Sequence, residues 1–189
     1  MEIRKRNDKI IALVFAILTI LFFVVAITNS IFFNCAFERH QNQLSWYIRP
    51  IFLLPFCYFA YKHSWSGIFF TIFCLFTSMF WFSKPDLVSD QVKIFLEFEK
   101  QWIFEEWGVN KLLLMLSVPI SFTALGLAFW KRSLWMGLSV VVLMATGKIT
   151  WSIQNAGESG KSILLPAILG LLICFGLLFY GFKRLEKKK

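Results

Sequence analysis

Apolar residues along this chain fall in blocks, and the charged residues fall between the blocks. Six blocks stand out, at about 10–33, 44–61, 66–82, 111–130, 133–153 and 162–182. A run of about 20 apolar residues spans a bilayer core of ~30 Å at 1.5 Å per helical residue. Lipid offers no partner to a backbone N–H or C=O, so such runs pair internally as helices. The blocks lack the alternation of barrel strands. The pattern therefore predicts an all-α, polytopic integral membrane bundle of six transmembrane helices in a single membrane domain covering 1–189. The second block is the shortest fit. It crosses only if it starts near Leu44, which puts Arg49 about a turn inside, and Pro55 predicts a kink in it. If blocks two and three instead form one re-entrant pair, four crossings remain.

The segment between blocks three and four is different. Ser83-Lys84-Pro85-Asp86 reads as a helix start, with a capping oxygen, an early proline and an acid three residues on. Asp86, Asp90, Lys93, Glu97 and Gln101 then share one face at helical spacing, while Val92, Phe95, Leu96, Phe98, Trp102, Ile103 and Trp107 supply apolar surface. This predicts an external amphipathic helix at about 86–107, lying on the membrane with Trp102 and Trp107 at headgroup depth and ended by Gly108. Small residues also recur on stripes: Ala12, Ala16, Thr19, Ala26 and Ser30; Gly67, Thr71, Cys74 and Ser78; Ala167, Gly170 and Cys174. Such stripes let helices approach closely, within the chain or between copies of it. Blocks one to three and four to six do not visibly match as repeats.

Charge sets the orientation. An even number of crossings puts both termini on one side. That side holds twelve Lys and Arg residues and the other holds seven, with Lys148 assigned to neither. The positive-inside rule then places the N- and C-termini in the cytoplasm. The first block is longer than a signal-peptide core, and Asn34 precedes Cys35 where a lipoprotein signal needs a small residue. An uncleaved first helix and no organelle-targeting features fit a bacterial inner membrane.

Composition agrees and narrows the chemistry. The 189 residues are 58% hydrophobic and 19% aromatic, with a net charge of +9. The basic ends suit an anionic inner leaflet, and no basic patch with stacking aromatics suggests nucleic acid. Cys35, Cys57, Cys74 and Cys174 form no C-x-x-C pair, so neither a disulfide framework nor a metal site is expected. His40 and His63 fall on opposite sides and cannot share a ligand. No cofactor is implied.

One string resembles the phosphate loop of nucleotide-binding proteins. Asn155-Ala-Gly-Glu-Ser-Gly-Lys-Ser162 has Asn155 where that pattern needs glycine. The loop also needs a preceding strand in a soluble α/β core, and here it links two membrane helices. A flexible connection, with Ser159 or Ser162 capping the last helix, is the plainer reading.

Four residues are candidates for ligand binding: Lys148, Arg49, Glu97 and Glu158. Lys148 lies about 22 Å from the inner end of its helix, in the outer third of the core. A charge at mid-bilayer costs ~2.5–3.5 kcal/mol and less nearer the edge. Lys148 either snorkels outward beside Trp151 or faces the bundle to pair with Glu97, Glu158 or an anion. Arg49 either anchors its helix or joins Lys148 at similar depth in one outward pocket for a phosphate or carboxylate. Glu97, Glu99, Glu105 and Glu106 include enough acids for acid–base work, although a solvated helix face also explains them. Ser117, Ser121 and Thr123 flank Pro119, where they satisfy freed backbone groups or line a polar path.

No spacing of residues assigns an activity. The first expectation is a non-enzymatic membrane protein that binds a lipid headgroup, small anion or partner helix at the outer leaflet. Its partners are the bilayer, anionic lipid or a small anion, and another copy or a partner membrane protein. The second is a small transporter or channel subunit, working through Pro55, Pro119, Lys148 and the hydroxyls around Pro119. The third is a membrane enzyme acting on an anionic substrate at the outer surface. There Glu97 or Glu158 would serve as acid–base, and Lys148 or Arg49 would hold the substrate.

Overall fold

The computed structural model describes residues 2–187, and all regular structure among them is helical. The chain divides into two compact units, Met1–Leu87 and Val88–Lys189.

In the first unit, α1 (Glu2–Thr28) is followed by α2 (Ser30–His40), α3 (Leu44–Ile51), α4 (Leu53–Tyr61) and α5 (Trp65–Thr77), which ends in a 3₁₀ turn at Ser78–Trp81. α1 and α5 run parallel. Phe15 meets Phe70 at 5.1 Å, and further along Phe23 meets Phe76 at 4.7 Å. At the leading end, the Asp8 carboxylate accepts hydrogen bonds from the N–H groups of Trp65 and Ser66 and the hydroxyls of Ser64 and Ser66. Of the small-residue stripes in this unit, Ala12, Gly67, Thr71 and Ser78 are buried, whereas Ser30 is exposed.

The first apolar block is broken where one helix over 10–33 is expected. Asn29 adopts extended dihedrals, and its side-chain oxygen accepts from the Phe32 N–H at 3.0 Å. Asparagine competes for backbone donors in this way and starts a new helix. The second block is likewise two pieces, parted at Phe52. Pro50 and Pro55 have no N–H, so the carbonyls four residues before each lose their helical donors. The Phe52 N–H turns to the Arg49 carbonyl at 3.1 Å instead.

The second unit holds α6 (Asp90–Phe104), α7 (Val109–Trp130), α8 (Leu134–Gly160), a 3₁₀ turn at Lys161–Ile163, and α9 (Leu164–Glu186). α6 starts later than the Ser83–Asp86 signal suggests. Ser89 is its cap, its hydroxyl oxygen accepting from the Val92 N–H at 3.4 Å. Ser89-Asp90 carries the same capping oxygen and first-turn acid, just ahead of Val92, the first buried residue of the apolar stripe.

Three helical stretches are long and apolar enough to cross a membrane: Lys5–Thr28, Val109–Trp130 and Leu134–Leu185. The third has 52 residues, about 78 Å of helix at 1.5 Å per residue, and it is not one rod. Gly157 breaks it with φ 55° and ψ −129°. Trp135, early in α8, then meets Phe179, late in α9, at 5.9 Å, so the arms run antiparallel. Along α9, Pro166, Gly170, Cys174, Leu178 and Phe182 form a buried stripe that continues from Ile163 in the turn before it. The other faces stay open. In α1, only 6% of the apolar window is fully buried, and Leu13, Ile20 and Ile27 are more than half exposed. Apolar surface on that scale suits lipid tails and is compatible with a membrane location.

Candidate functional site: a lysine–glutamate pair in an aromatic wall

Each half of this site arises from an interrupted apolar stripe. On α6, Val92, Phe95, Leu96, Glu99 and Trp102 recur at three- and four-residue steps, which puts them on one side of the helix. Val92, Phe95 and Leu96 are buried. On α8, Leu134, Leu138, Val141, Ala145, Lys148 and Ser152 follow the same rule, and the first three and Ser152 are buried. α6 packs on α8 through these stripes. Each stripe carries one charge, and the packing brings the two together. Lys148 Nζ lies 2.5 Å from Glu99 Oε1.

Aromatic rings surround the pair. Lys148 Nζ sits 4.7 Å from the ring centre of Trp151 and 5.5 Å from that of Phe95. Trp151 in turn meets Trp102 at 5.2 Å and Phe98 at 5.9 Å. An ammonium beside a ring face gains from the ring's quadrupole, most of all with tryptophan. The two charges are unequally covered. The Lys148 side chain is 48% exposed and that of Glu99 only 18%. Beside them, Trp151 Nε1 and Ser152 Oγ are buried with no hydrogen-bond partner among the described residues. Buried polar atoms are nearly always paired, so these two donors are exceptions within α8.

Lys111 anchors the other end of α6. Its ammonium donates to the carbonyls of Ile103 at 3.0 Å and Glu105 at 2.6 Å, and it lies within about 5 Å of the ring centres of both Trp102 and Trp107. It thus satisfies the carbonyls that a helix end leaves open, and it favours the negative end of the α6 dipole. Lys111 is 6% exposed. Position at a block boundary disguises it in the sequence as an ordinary interfacial lysine.

The three expected ligand residues of the second unit do not converge on one point. Lys148 is at the centre just described, and its partner is Glu99. Glu97 is exposed on the polar side of α6. Glu158 pairs with Lys161 one turn on, at 2.6 Å. Arg49 belongs to the first unit, where its guanidinium donates to His40 Nε2 at 3.1 Å. A guanidinium only donates, so that ring nitrogen is unprotonated and Nδ1 carries the hydrogen, facing Ser45 Oγ at 3.0 Å. The Ser45 hydroxyl donates onward to the Asn42 carbonyl at 2.8 Å. In the same unit Arg39 donates to the Phe80 and Phe82 carbonyls, closing the end of α5. Glu99 was legible after all: it is the acid that breaks the apolar stripe of α6, whereas Glu97 continues the polar one.

The remaining motifs resolve locally. In the string Asn155–Ser162, the Ser159 hydroxyl donates to the Ala156 carbonyl and the Ser162 hydroxyl to the Ser159 carbonyl. The segment is helical apart from Gly157, so its backbone N–H groups do not form a phosphate cradle. Around Pro119, Ser117 donates to Leu114, Ser121 to Ser117 and Thr123 to Pro119, each to a carbonyl of its own helix. Among the described residues no three His, Cys, Asp or Glu side chains converge on a point that would hold a metal. No family model matches the chain, and no curated protein or solved structure matches it.

Proposed function

We propose that this is a six-crossing membrane protein with both termini in the cytoplasm, and that it binds a phosphate-bearing lipid headgroup or small anion without chemical turnover. The observation that carries the proposal is Lys148, a half-exposed side chain within an apolar stripe whose ammonium is held at a tryptophan face and against Glu99. An anionic oxygen there would accept from the Lys148 ammonium in a charge-assisted hydrogen bond.

The six crossings are α1, α3 with α4, α5, α7, α8 and α9. α6 then lies in the outer interface with its tryptophans at headgroup depth. The parallel course of α1 and α5 supports a return crossing between them, and the antiparallel arms of α8 and α9 support one crossing each. A non-enzymatic role is favoured because Glu99, the covered acid of the site, is already paired with Lys148. The α7 hydroxyls, bonded to their own helix, leave little for a polar path.

Native mass spectrometry of the detergent-purified chain tests this. Wild-type protein should retain phospholipid at a stoichiometry near one, and Lys148→Ala should release it. Equal retention by both proteins would refute the site.

A further inference from the structure

We infer that the ligand of this site is a zwitterion in which a phosphate stands next to a primary ammonium, the chemistry of a phosphoethanolamine headgroup; the inference rests on the headgroup reading above. The reason lies in what any ligand must displace. In the free site, Lys148 and Glu99 satisfy one another at 2.5 Å. A ligand with negative charge alone takes Lys148 and leaves Glu99 without its cation. Glu99 is the more covered partner, at 18% exposure against 48%, so water compensates it poorly. Removing one member of a covered ion pair costs more than the pair itself is worth, because the survivor keeps its desolvation penalty.

A zwitterion escapes that cost by exchanging partners. Its phosphate takes the Lys148 ammonium, whose side chain is 48% exposed. Its ammonium takes the Glu99 carboxylate. A tryptophan face such as that of Trp151, which now serves the Lys148 ammonium, also favours a ligand's cation. Glu99 loses an N–H donor from lysine and needs another in return. A primary ammonium provides one, whereas a quaternary choline has no N–H to give.

The test uses the full-length protein in detergent, titrated with short-chain phosphatidylethanolamine, phosphatidylglycerol and phosphatidylcholine and followed by tryptophan emission. Wild type should prefer phosphatidylethanolamine at least tenfold over the other two. Glu99→Gln removes the stranded charge, so it should weaken phosphatidylethanolamine and strengthen phosphatidylglycerol, closing or reversing that gap. Lys148→Ala should weaken all three. Soluble O-phosphoethanolamine is the competing source of the same chemistry. Competition at concentrations like those of the lipid assigns the site to a free metabolite, and competition only at much higher ones assigns it to the lipid; both satisfy the inference. Phosphatidylglycerol binding as tightly as phosphatidylethanolamine, with Lys148→Ala still defective, would overturn the zwitterion and leave the headgroup site standing. Binding unaffected by Lys148→Ala would overturn both.

Discussion

Asp8 shows what a single polar residue does at the edge of an apolar block. A helix start leaves backbone N–H groups without partners, and a nearby carboxylate both accepts from them and complements the dipole. α5 has its own cap in Ser64, whose hydroxyl accepts from the Gly67 N–H at 3.3 Å. Asp8 adds a second cap from α1, accepting from Trp65 at 2.9 Å and Ser66 at 3.2 Å. It therefore sets the register of α1 against α5 as well as starting α5. Asp8→Ala should destabilise the protein by about 1–2 kcal/mol, read as an earlier midpoint when detergent-solubilised protein is titrated with SDS. Asp8→Asn keeps one acceptor oxygen and should fall between. The sequence shows Asp8 only as one charge in a basic head, because its partners lie 56 to 58 positions away. Lys148 was easier to find, since a charge inside an apolar run is conspicuous by itself. Its partner needed the second clue, that Glu99 interrupts the apolar side of α6.

At the scale of elements, the two clearest hairpins share one turning device. α4 ends with His63 at φ 58° and α7 with Arg132 at φ 59°. At the first, Ser64 N–H reaches the Phe59 carbonyl and His63 N–H that of Ala60; at the second, Ser133 N–H reaches Ala128 and Arg132 N–H reaches Phe129. These are matched left-handed caps that use up the last carbonyls of each helix and reverse the chain in three residues. Aromatic-Lys-(His or Arg)-Ser occurs at both places, Tyr61–Ser64 and Trp130–Ser133. The sequence announced both turns through their charges, but the shared geometry is hidden because glycine, the usual sign of such a cap, is absent. Glycine appears one turn later instead, where close approach demands it. A Cβ on Gly67 would overlap the Phe59 ring at Cγ, next to its backbone attachment, so the ring has little freedom to yield. Gly67→Ala should cost about 1–3 kcal/mol through overpacking, measured by the same SDS titration. Gly176→Ala is the control: its Cβ would meet open space, and the change should be neutral or slightly stabilising in the helix. Breaks inside blocks were harder to read than their ends. Pro55 marked the second block for a kink, but Asn29 gave no comparable warning, because asparagine caps a helix only where the backbone has already turned away.

For the whole molecule, the decisive property is how much apolar surface the folded protein leaves uncovered. Leu13, Ile20, Ile27, Leu113, Ile120, Leu143, Leu172 and Leu177 are all more than half exposed on helices of crossing length. Each stays out of water only if lipid surrounds it. Block lengths alone made that legible. Orientation rests on charge, and the native cysteines allow it to be tested without engineering. Cys57 and Cys174 are fully buried and Cys74 is half-buried within α5, whereas Cys35 is exposed on α2. In the proposed arrangement α2 follows the first crossing and lies outside. A membrane-impermeant maleimide added to intact cells should therefore label the chain once, and Cys35→Ala should abolish the label. Labelling that appears only after the membrane is opened would place α2 in the cytoplasm. The termini, Lys148 and its headgroup site would then exchange sides with it, and the charge count would have misled.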